Sequence, residues 1–331
     1  MQCPHCQSRQ VVKNGKHHHQ DGSAIQNYLC RGCRKRFSER TGTPMCRLRT
    51  PSSMVSLAMK MRTEGMGIRA SGRVLEKSHV SIMRWEQRLA DQEKQWSPPV
   101  PEGRVITVEG DEVYTRVGEN LPPQESEGWT VIFLERDSRY WSVAKAGLKT
   151  IELFAQATQL AWQWAAPSAF IRWFTDGERR YAQQLWKLAS IYLKSSEVTR
   201  EYGHCKVWRE GLEVAIKIKG SQGNRRVEWV KPEHPYTSIS PACEVHANHT
   251  EANNSALRRR CSAYRRRQNL YAKTVEGLQR AVTVQRLVHN WVRPHWSLDK
   301  NMTPTMLLGL YHRPISILEF LSSRGFESLT N

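Results

Sequence analysis

Apolar positions along this chain change their spacing twice, and each change marks a different kind of element. Over residues 53–92 they recur at helical spacing: Met54-Val55 to Met61, then Ile68 to Leu75 after Gly65-Met66-Gly67, then Val80 to Leu89 after Glu76-Lys77-Ser78. Three short helices joined by tight turns, with Ala70, Leu75, Val80 and Ile82 spaced for a small core, predict a helix-turn-helix; a plain three-helix bundle is the alternative. From Arg104 the spacing becomes that of strands. Residues 104–114, 129–134 and 140–144 read as three strands, the last two joined by the turn-forming Arg136-Asp137-Ser138-Arg139. A helix over 150–165 follows, then a short apolar strand over 170–175 and a helix beginning near Arg179.

Ser97-Pro98-Pro99-Val100-Pro101 reads as a stiff linker within 93–103, separating the helical segment from the strands. Three strands, a helix, a strand and a helix is the order of a ribonuclease H-like α/β domain, which would occupy 104–310. Inside it, 206–208, 213–219 and 226–230 look like strands, punctuated by Gly211 and by Gly220-Ser221-Gln222-Gly223-Asn224, and are expected to form a β-rich insertion over about 190–245. An amphipathic helix over 278–291 and a short helix capped by Thr303, with Pro304 first, close the domain. Residues 311–331 are left as a C-terminal tail.

Charge narrows the partner. The net charge is +19 over 331 residues, which points to a polyanion. Lys and Arg outnumber Asp and Glu 18 to 7 over residues 1–100 and 11 to 3 over 251–300, but balance at 19 each between them, so two basic flanks enclose a neutral middle. No stretch has the apolar run of a signal peptide or of a membrane span, so the protein is expected in the cytoplasm.

Of eight cysteines, four form Cys3-Pro-His-Cys6 and Cys30-Arg-Gly-Cys33. Two such turns close a tetrahedral tetrathiolate site for one structural Zn²⁺, which can hold together a segment of 1–45 too short for its own core. A pair of redox CxxC motifs would need a thioredoxin-like strand and helix context that the sequence lacks. His5 and His17-His18-His19 read as surface, and Cys46, Cys205, Cys243 and Cys261 as filler thiols. Arg31, Arg34, Lys35 and Arg36 surround the second turn and suit a phosphate backbone. In the helix-turn-helix, Ser78, His79 and Ser81 would lead into the major groove, with Arg84 and Arg88 on phosphates or base edges.

Asp111 and Asp176 each stand where a strand ends, and Glu251 lies in His249-Thr250-Glu251-Ala252-Asn253-Asn254. On a helix, Glu251, Asn254 and Arg258 share a face. Two aspartates at strand ends and a glutamate on a later helix suit two Mg²⁺ (or Mn²⁺) ions for in-line displacement at phosphorus, with Asp111 bridging. Glu109 and Glu112 are alternatives to Asp111, and Glu178 to Asp176. The helix is expected to gain six arginines up to Arg267, among them Arg259, Arg260, Arg265 and Arg266, to hold DNA beside the metals.

The ordered set resembles the DDE transposases of bacterial insertion sequences, most closely the insertion-sequence-one family: Cys-Pro-x-Cys with Val-Val-Lys-Asn-Gly-Lys, Leu-Cys-x-x-Cys-Arg-Lys, Asp111-Glu112, Thr175-Asp176-Gly177, Thr250-Glu251 with Asn254, Leu257 and Arg258, and Asn290-Trp291-Val292-Arg293-Pro294-His295 with Thr303-Pro304. The resemblance implies a zinc ribbon and helix-turn-helix before a ribonuclease H-like core, with Asp111, Asp176 and Glu251 as catalytic triad and Asn254 and Arg258 in the same motif. Ala252 stands where that family usually has an arginine, and the segment between Asp176 and Glu251 is long. The implied activity is binding of the element's terminal repeats, cleavage to a 3′-OH, and transfer of that end to target DNA. The reaction joins two ends, so at least a dimer is expected. A DNA-binding regulator with an idle core, or a related nuclease or resolvase, would share most of these features.

Overall fold

A computed structural model describes residues 1–18, 22, 24–192, 206–222, 225–232, 240–299 and 301–330. His19, Cys205, Gly223 and Asn224 lie outside the described residues. The chain divides into two compact units, residues 1–97 with 315–331, and residues 98–314. No helix among the described residues is long and apolar enough to cross a membrane.

The first unit opens with β1 (Val11–His18), β2 (Ala24–Cys30) and β3 (Arg36–Ser38), antiparallel and in that order. This ribbon buries little beyond Cys3, Cys30 and Phe37, with Tyr28 stacked on Phe37 at 5.5 Å, so its apolar content alone is small for an independent core. Helices α1 (Ser52–Thr63), α2 (Ile68–Val74) and α3 (His79–Ala90) follow. Gly72, inside α2, must be glycine because the turn into α3 passes against it: a Cβ there would lie 2.7 Å from the Lys77 carbonyl.

The core of this unit differs from the expected one. Val80 is exposed, and Ala70 and Leu75 are only half-buried. The inward stripe of α3 is instead Ile82, Trp85, Glu86 and Leu89, at i, i+3, i+4 and i+7, which leaves Val80 on the outer side of the first turn. Val55, Ala58 and Met59 face it from α1, and Arg62 of α1 bonds Glu86 of α3 at 3.1 Å with both side chains buried. The C-terminal stretch read as a tail carries a helix, Ile317–Ser322, that packs on α1 and stacks Phe320 on Trp96 at 3.9 Å.

The second unit is built on β4 (Val105–Tyr114), β5 (Trp129–Glu135), β6 (Trp141–Gly147), α4 (Ile151–Ala165), β7 (Phe170–Asp176) and α5 (Arg179–Ala189), in the expected order. A small antiparallel pair, β8 (Ser190–Tyr192) with β9 (Lys206–Trp208), precedes β10 (Leu212–Gln222) and β11 (Arg225–Pro232). The result is a mixed six-stranded sheet in the order β11-β10-β7-β4-β5-β6. β4, β7 and β10 run parallel; β5, β6 and β11 are antiparallel to their neighbours.

The strands expected as a β-rich insertion inside this domain, over about 190–245, join its main sheet over residues 212–232. β10 pairs with β7 from Leu212–Ile171 to Lys217–Asp176, so residues 212–232 extend the main sheet. Leu212, Val214, Ala215 and Ile216 are all buried, the pattern of a strand covered on both faces.

Helices α4 and α5 cover one face through Leu153, Phe154, Ala161, Tyr181 and Leu185. Helices α6 (Asn248–Arg260) and α7 (Val275–Trp291) cover the other, where Leu257, Leu278 and Val282 meet Ile132, Trp141 and Ala144. α7 was expected to be amphipathic, yet every residue from Ala281 to Trp291 is buried, Arg286 and Asn290 included. Those two are accommodated by hydrogen bonds: Arg286 Nη1 donates to the Ser142 carbonyl at 2.9 Å, and Asn290 exchanges two bonds of 2.9 Å with the Trp141 backbone. The short α8 (Pro304–Leu307) follows Thr303, whose hydroxyl lies 3.0 Å from that of Thr305.

Candidate functional site

In the first unit the Sγ atoms of Cys3, Cys6, Cys30 and Cys33 all lie within 4.8 Å of one another. Cys3 and Cys33 are 3.6 Å apart, as are Cys6 and Cys30, close to the roughly 3.8 Å that a tetrahedron of Zn–S bonds implies. The amides of His5 and Cys33 donate to the sulfurs of Cys3 and Cys30, and the second bond lowers the Cys30 thiol to about 6. The donor set fits a soft, thiolate-binding metal.

The residues expected to meet DNA are divided in their roles. Arg31, Arg34, Lys35, Arg36, His79 and Arg84 are exposed. Ser81 is half-buried, and the Ser78 hydroxyl accepts the Val80 amide as the N-cap of α3. Arg88 takes a structural position: its Nη1 donates to the carbonyls of Pro44 and Cys46 at 3.2 and 2.8 Å, tying α3 to the segment that follows the ribbon.

In the second unit the strand register builds an acidic cluster. β4 and β7 are parallel, with Gly110 opposite Thr175, so the next position sets Asp111 beside Asp176. Gly110 must be glycine, because a Cβ would come within 2.7 Å of the Phe133 ring and 3.0 Å of Thr175. Carboxylate oxygens of Asp111, Glu112 and Asp176 lie within 4.8 Å of one another. Burial, then the charges of Asp176 and Glu112, push Asp111 up to about 7. Burial and Glu112 likewise raise Asp176 to about 6. Glu112 is itself held by Lys149 Nζ at 2.5 Å and by the Tyr181 hydroxyl at 3.0 Å. Glu178, the alternative to Asp176, is turned to Arg180 and caps α5 through the Arg180 amide.

Glu109 has a different task. It is fully buried two residues before Asp111, and it accepts the amides of His249 at 2.9 Å and Thr250 at 3.1 Å. Those are orphan donors of the first turn of α6, so the carboxylate anchors that helix end and complements its dipole. Arg136 Nε and His249 Nδ1 each lie 2.7 Å from the same carboxylate. Burial alone would raise Glu109; His249 and Arg136 outweigh it and hold the carboxyl below its ordinary range. The Glu109 carboxylate groups with His246 and His249, whereas Asp111 groups with Glu112 and Asp176.

Anchored there, α6 brings Asn254 onto Asp111: Nδ2 donates to Oδ2 at 2.8 Å. The Asn254 Oδ1 is buried and has no hydrogen-bond partner among the described residues. Three carboxylates, two of them resisting ionisation, beside an unpaired amide oxygen make an all-oxygen donor set that fits a hard divalent cation. Glu251 is not in that cluster. Its side chain is half exposed, and its Oε1 meets Lys219 Nζ of β10 at 2.5 Å. Arg258 is half-buried, and that burial lowers its guanidinium below the ordinary value.

The arginine run is not one helix. α6 ends at Arg260, and the buried Cys261, Ser262, Ala263 and Tyr264 turn inward, with the Tyr264 hydroxyl 2.6 Å from Thr130. Arg259 is exposed on the helix, Arg260 is half-buried, and Arg265, Arg266 and Arg267 lie beyond the turn. Sequence reasoning passed over Lys149, Tyr181 and Lys219, which have no local motif and reach the acids only through the folded sheet.

No family model matches the chain, and no curated protein matches it. Among solved structures, it is similar to a chain of the Drosophila P element transposase strand transfer complex, with a TM-score of 0.28 and 13% identity over 51% of this chain. The match spans 42% of that chain, less than half its length.

Proposed function

We propose that this chain is a DNA transposase of the DDE type. The observation that carries the reading is the parallel register that sets Asp111 beside Asp176, with Asn254 of α6 bonded to Asp111. The strand order β6-β5-β4-β7-β10, antiparallel at first and parallel from β4 onward, supports a ribonuclease H-like core, with β11 added at the edge.

Mg²⁺ or Mn²⁺, two ions in this proposal, would supply Lewis acidity toward phosphodiester oxygens and a more acidic bound water. Asp111 and Asp176 would hold them, with Glu251 as third ligand after it leaves Lys219. Asn254 fixes the carboxylate of Asp111, and Lys149 with Tyr181 fixes Glu112 beside it. Arg258, Arg259, Arg260, Arg265, Arg266 and Arg267 offer guanidinium groups to DNA phosphates near these acids. One structural Zn²⁺ on Cys3, Cys6, Cys30 and Cys33 would stiffen the ribbon, and His79, Ser81 and Arg84 would read duplex DNA at the element's terminal repeats. Joining two ends asks for at least two copies of the chain, acting in the bacterial cytoplasm on the nucleoid.

Purified protein with Mg²⁺ and labelled duplexes bearing candidate terminal repeats tests this, alongside Asp176→Ala and Glu251→Ala. Strand transfer by the intact protein, lost in both variants while DNA binding persists, is the expected result. Specific binding without cleavage would sink the enzyme reading in favour of a DNA-binding regulator, and cleavage without joining would favour a nuclease or resolvase.

A further inference from the structure

Behind the acidic cluster, on the opposite face of α6, lies a second site. The residues Glu251, Asn254 and Arg258 share one side of the helix; Ala252, Asn253, Ala256, Arg259 and Arg260 share the other and line a cavity of about 310 Å³. Its far wall is the loop after α7, Pro294-His295-Trp296-Ser297, with Arg139 and His289 between.

Three features of this cavity ask for a ligand. Trp296 is fully exposed at 102% relative area, an indole left open to solvent among the described residues. Asn253 is buried at 7%, yet its Nδ2 has no hydrogen-bond partner among the described residues, and neither does the buried Nε2 of His295. Buried polar groups without partners are costly and uncommon, so two lining one cavity mark places where a ligand's own polar atoms fit. The field there is positive, with Arg139, Arg259 and Arg260 on the lining. Burial and the nearby Arg260 hold His295 down at about 4, so the imidazole is neutral and free to bond a ligand as donor or acceptor, according to its tautomer.

A flat exposed ring, two unsatisfied buried polar groups and a guanidinium rim fit a flat heteroaromatic group carrying phosphates. We propose that this cavity binds an unpaired nucleobase of the DNA strand, stacked on Trp296 with its edge hydrogen-bonded to Asn253 and its phosphates on Arg259 and Arg260. The proposal rests on the reading of the chain as a DNA-handling enzyme and adds to it a place for a base outside the duplex. Stacking on an aromatic ring is tolerant of base identity, so the site would select unpaired over paired nucleotides more than one sequence over another.

The test uses the full chain and three probes: a short labelled strand of thymidines, the same strand with abasic sugars, and a labelled mixed-sequence duplex. Fluorescence anisotropy should show the thymidine strand binding about tenfold tighter than the abasic strand. Trp296→Ala should erase that difference, Trp296→Phe should retain it, and neither should change the affinity for the duplex. Because Trp296 is solvent-exposed, its replacement leaves the core intact. Equal affinity of the native protein for both single strands, or a preference that survives Trp296→Ala, overturns the base site while leaving duplex binding to stand. Failure to bind any of the three probes overturns the site together with the DNA reading.

Discussion

The carboxylate of Glu109 on β4 accepts the backbone amide of Thr250 on α6 at 3.1 Å, across 141 residues of sequence. That bond and its neighbour at His249 decide where Asn254 and Glu251 stand relative to Asp111.

Glu109→Gln keeps the shape but removes the charge that Arg136, His249 and the helix end share. Leaving such a buried cluster uncompensated costs about 3 kcal/mol. Thermal melting should fall by several degrees, and hydrogen exchange should quicken at residues 249–254 more than in α7. Unchanged exchange there would mean that α6 is held by its packing through Leu257 alone.

The acids make a pH prediction. Asp111 is raised to about 7 and Asp176 to about 6, above the 3.8 of an unperturbed aspartate. Without a cation the folded state therefore keeps protons that the unfolded chain releases from about pH 4 upward, so stability declines as pH rises toward 7. In the proposed site a divalent cation would take the place of those protons. The rise in melting temperature on adding Mg²⁺ should thus be larger at pH 8 than at pH 5.5, and Asp111→Asn should flatten both trends. A Mg²⁺ effect equal at the two pH values would count against Asp111 as a ligand.

Glu251 is paired with Lys219 at 2.5 Å, so in the proposed two-metal site Lys219 would compete with a cation for that carboxylate. In Lys219→Met the carboxylate is free, and the Mg²⁺ concentration for half-maximal cleavage should fall several-fold. A rise instead would show that Lys219 serves the DNA phosphates.

Metal analysis of the purified chain should find one zinc, lost in Cys30→Ser. That variant should expose the ribbon to proteolysis, because the small cluster of Cys3, Cys30 and Phe37 includes two of the thiols. Cys243→Ser, at an exposed thiol, should change neither. Proteolysis of the two variants at equal rates would remove the metal from the folding of this segment.

Much of the second unit could be read from the sequence. Its first three strands, the helix and the strand ending at Asp176 appear in the chain as runs of the right period, because alternation and helical spacing are local consequences of which face is buried. The Cys-x-x-Cys turns are local for the same reason, each pair needing only a tight loop. The helical stretches α1, α2 and α3 were legible too, but the core residues within them were not: Val80 and Trp85 are both apolar on one helix, and the packing against α1 selects Trp85.

Local sequence determined the kinds of element and the residue types available for chemistry. The tertiary structure decided what no local period encodes: that β10 belongs to the main sheet, that α7 is buried throughout its second half, and that the arginine run breaks at Cys261 so that Tyr264 can reach Thr130. It also gave different surroundings to three acids of β4, of which the sequence favours Asp111 and keeps Glu109 and Glu112 as alternatives. Glu109 anchors α6, Asp111 meets Asp176 and Asn254, and Glu112 turns to Lys149 and Tyr181. The reason is physical: a carboxylate's role is set by the charges and donors within a few ångströms, and for these three nearly all of them come from distant parts of the chain.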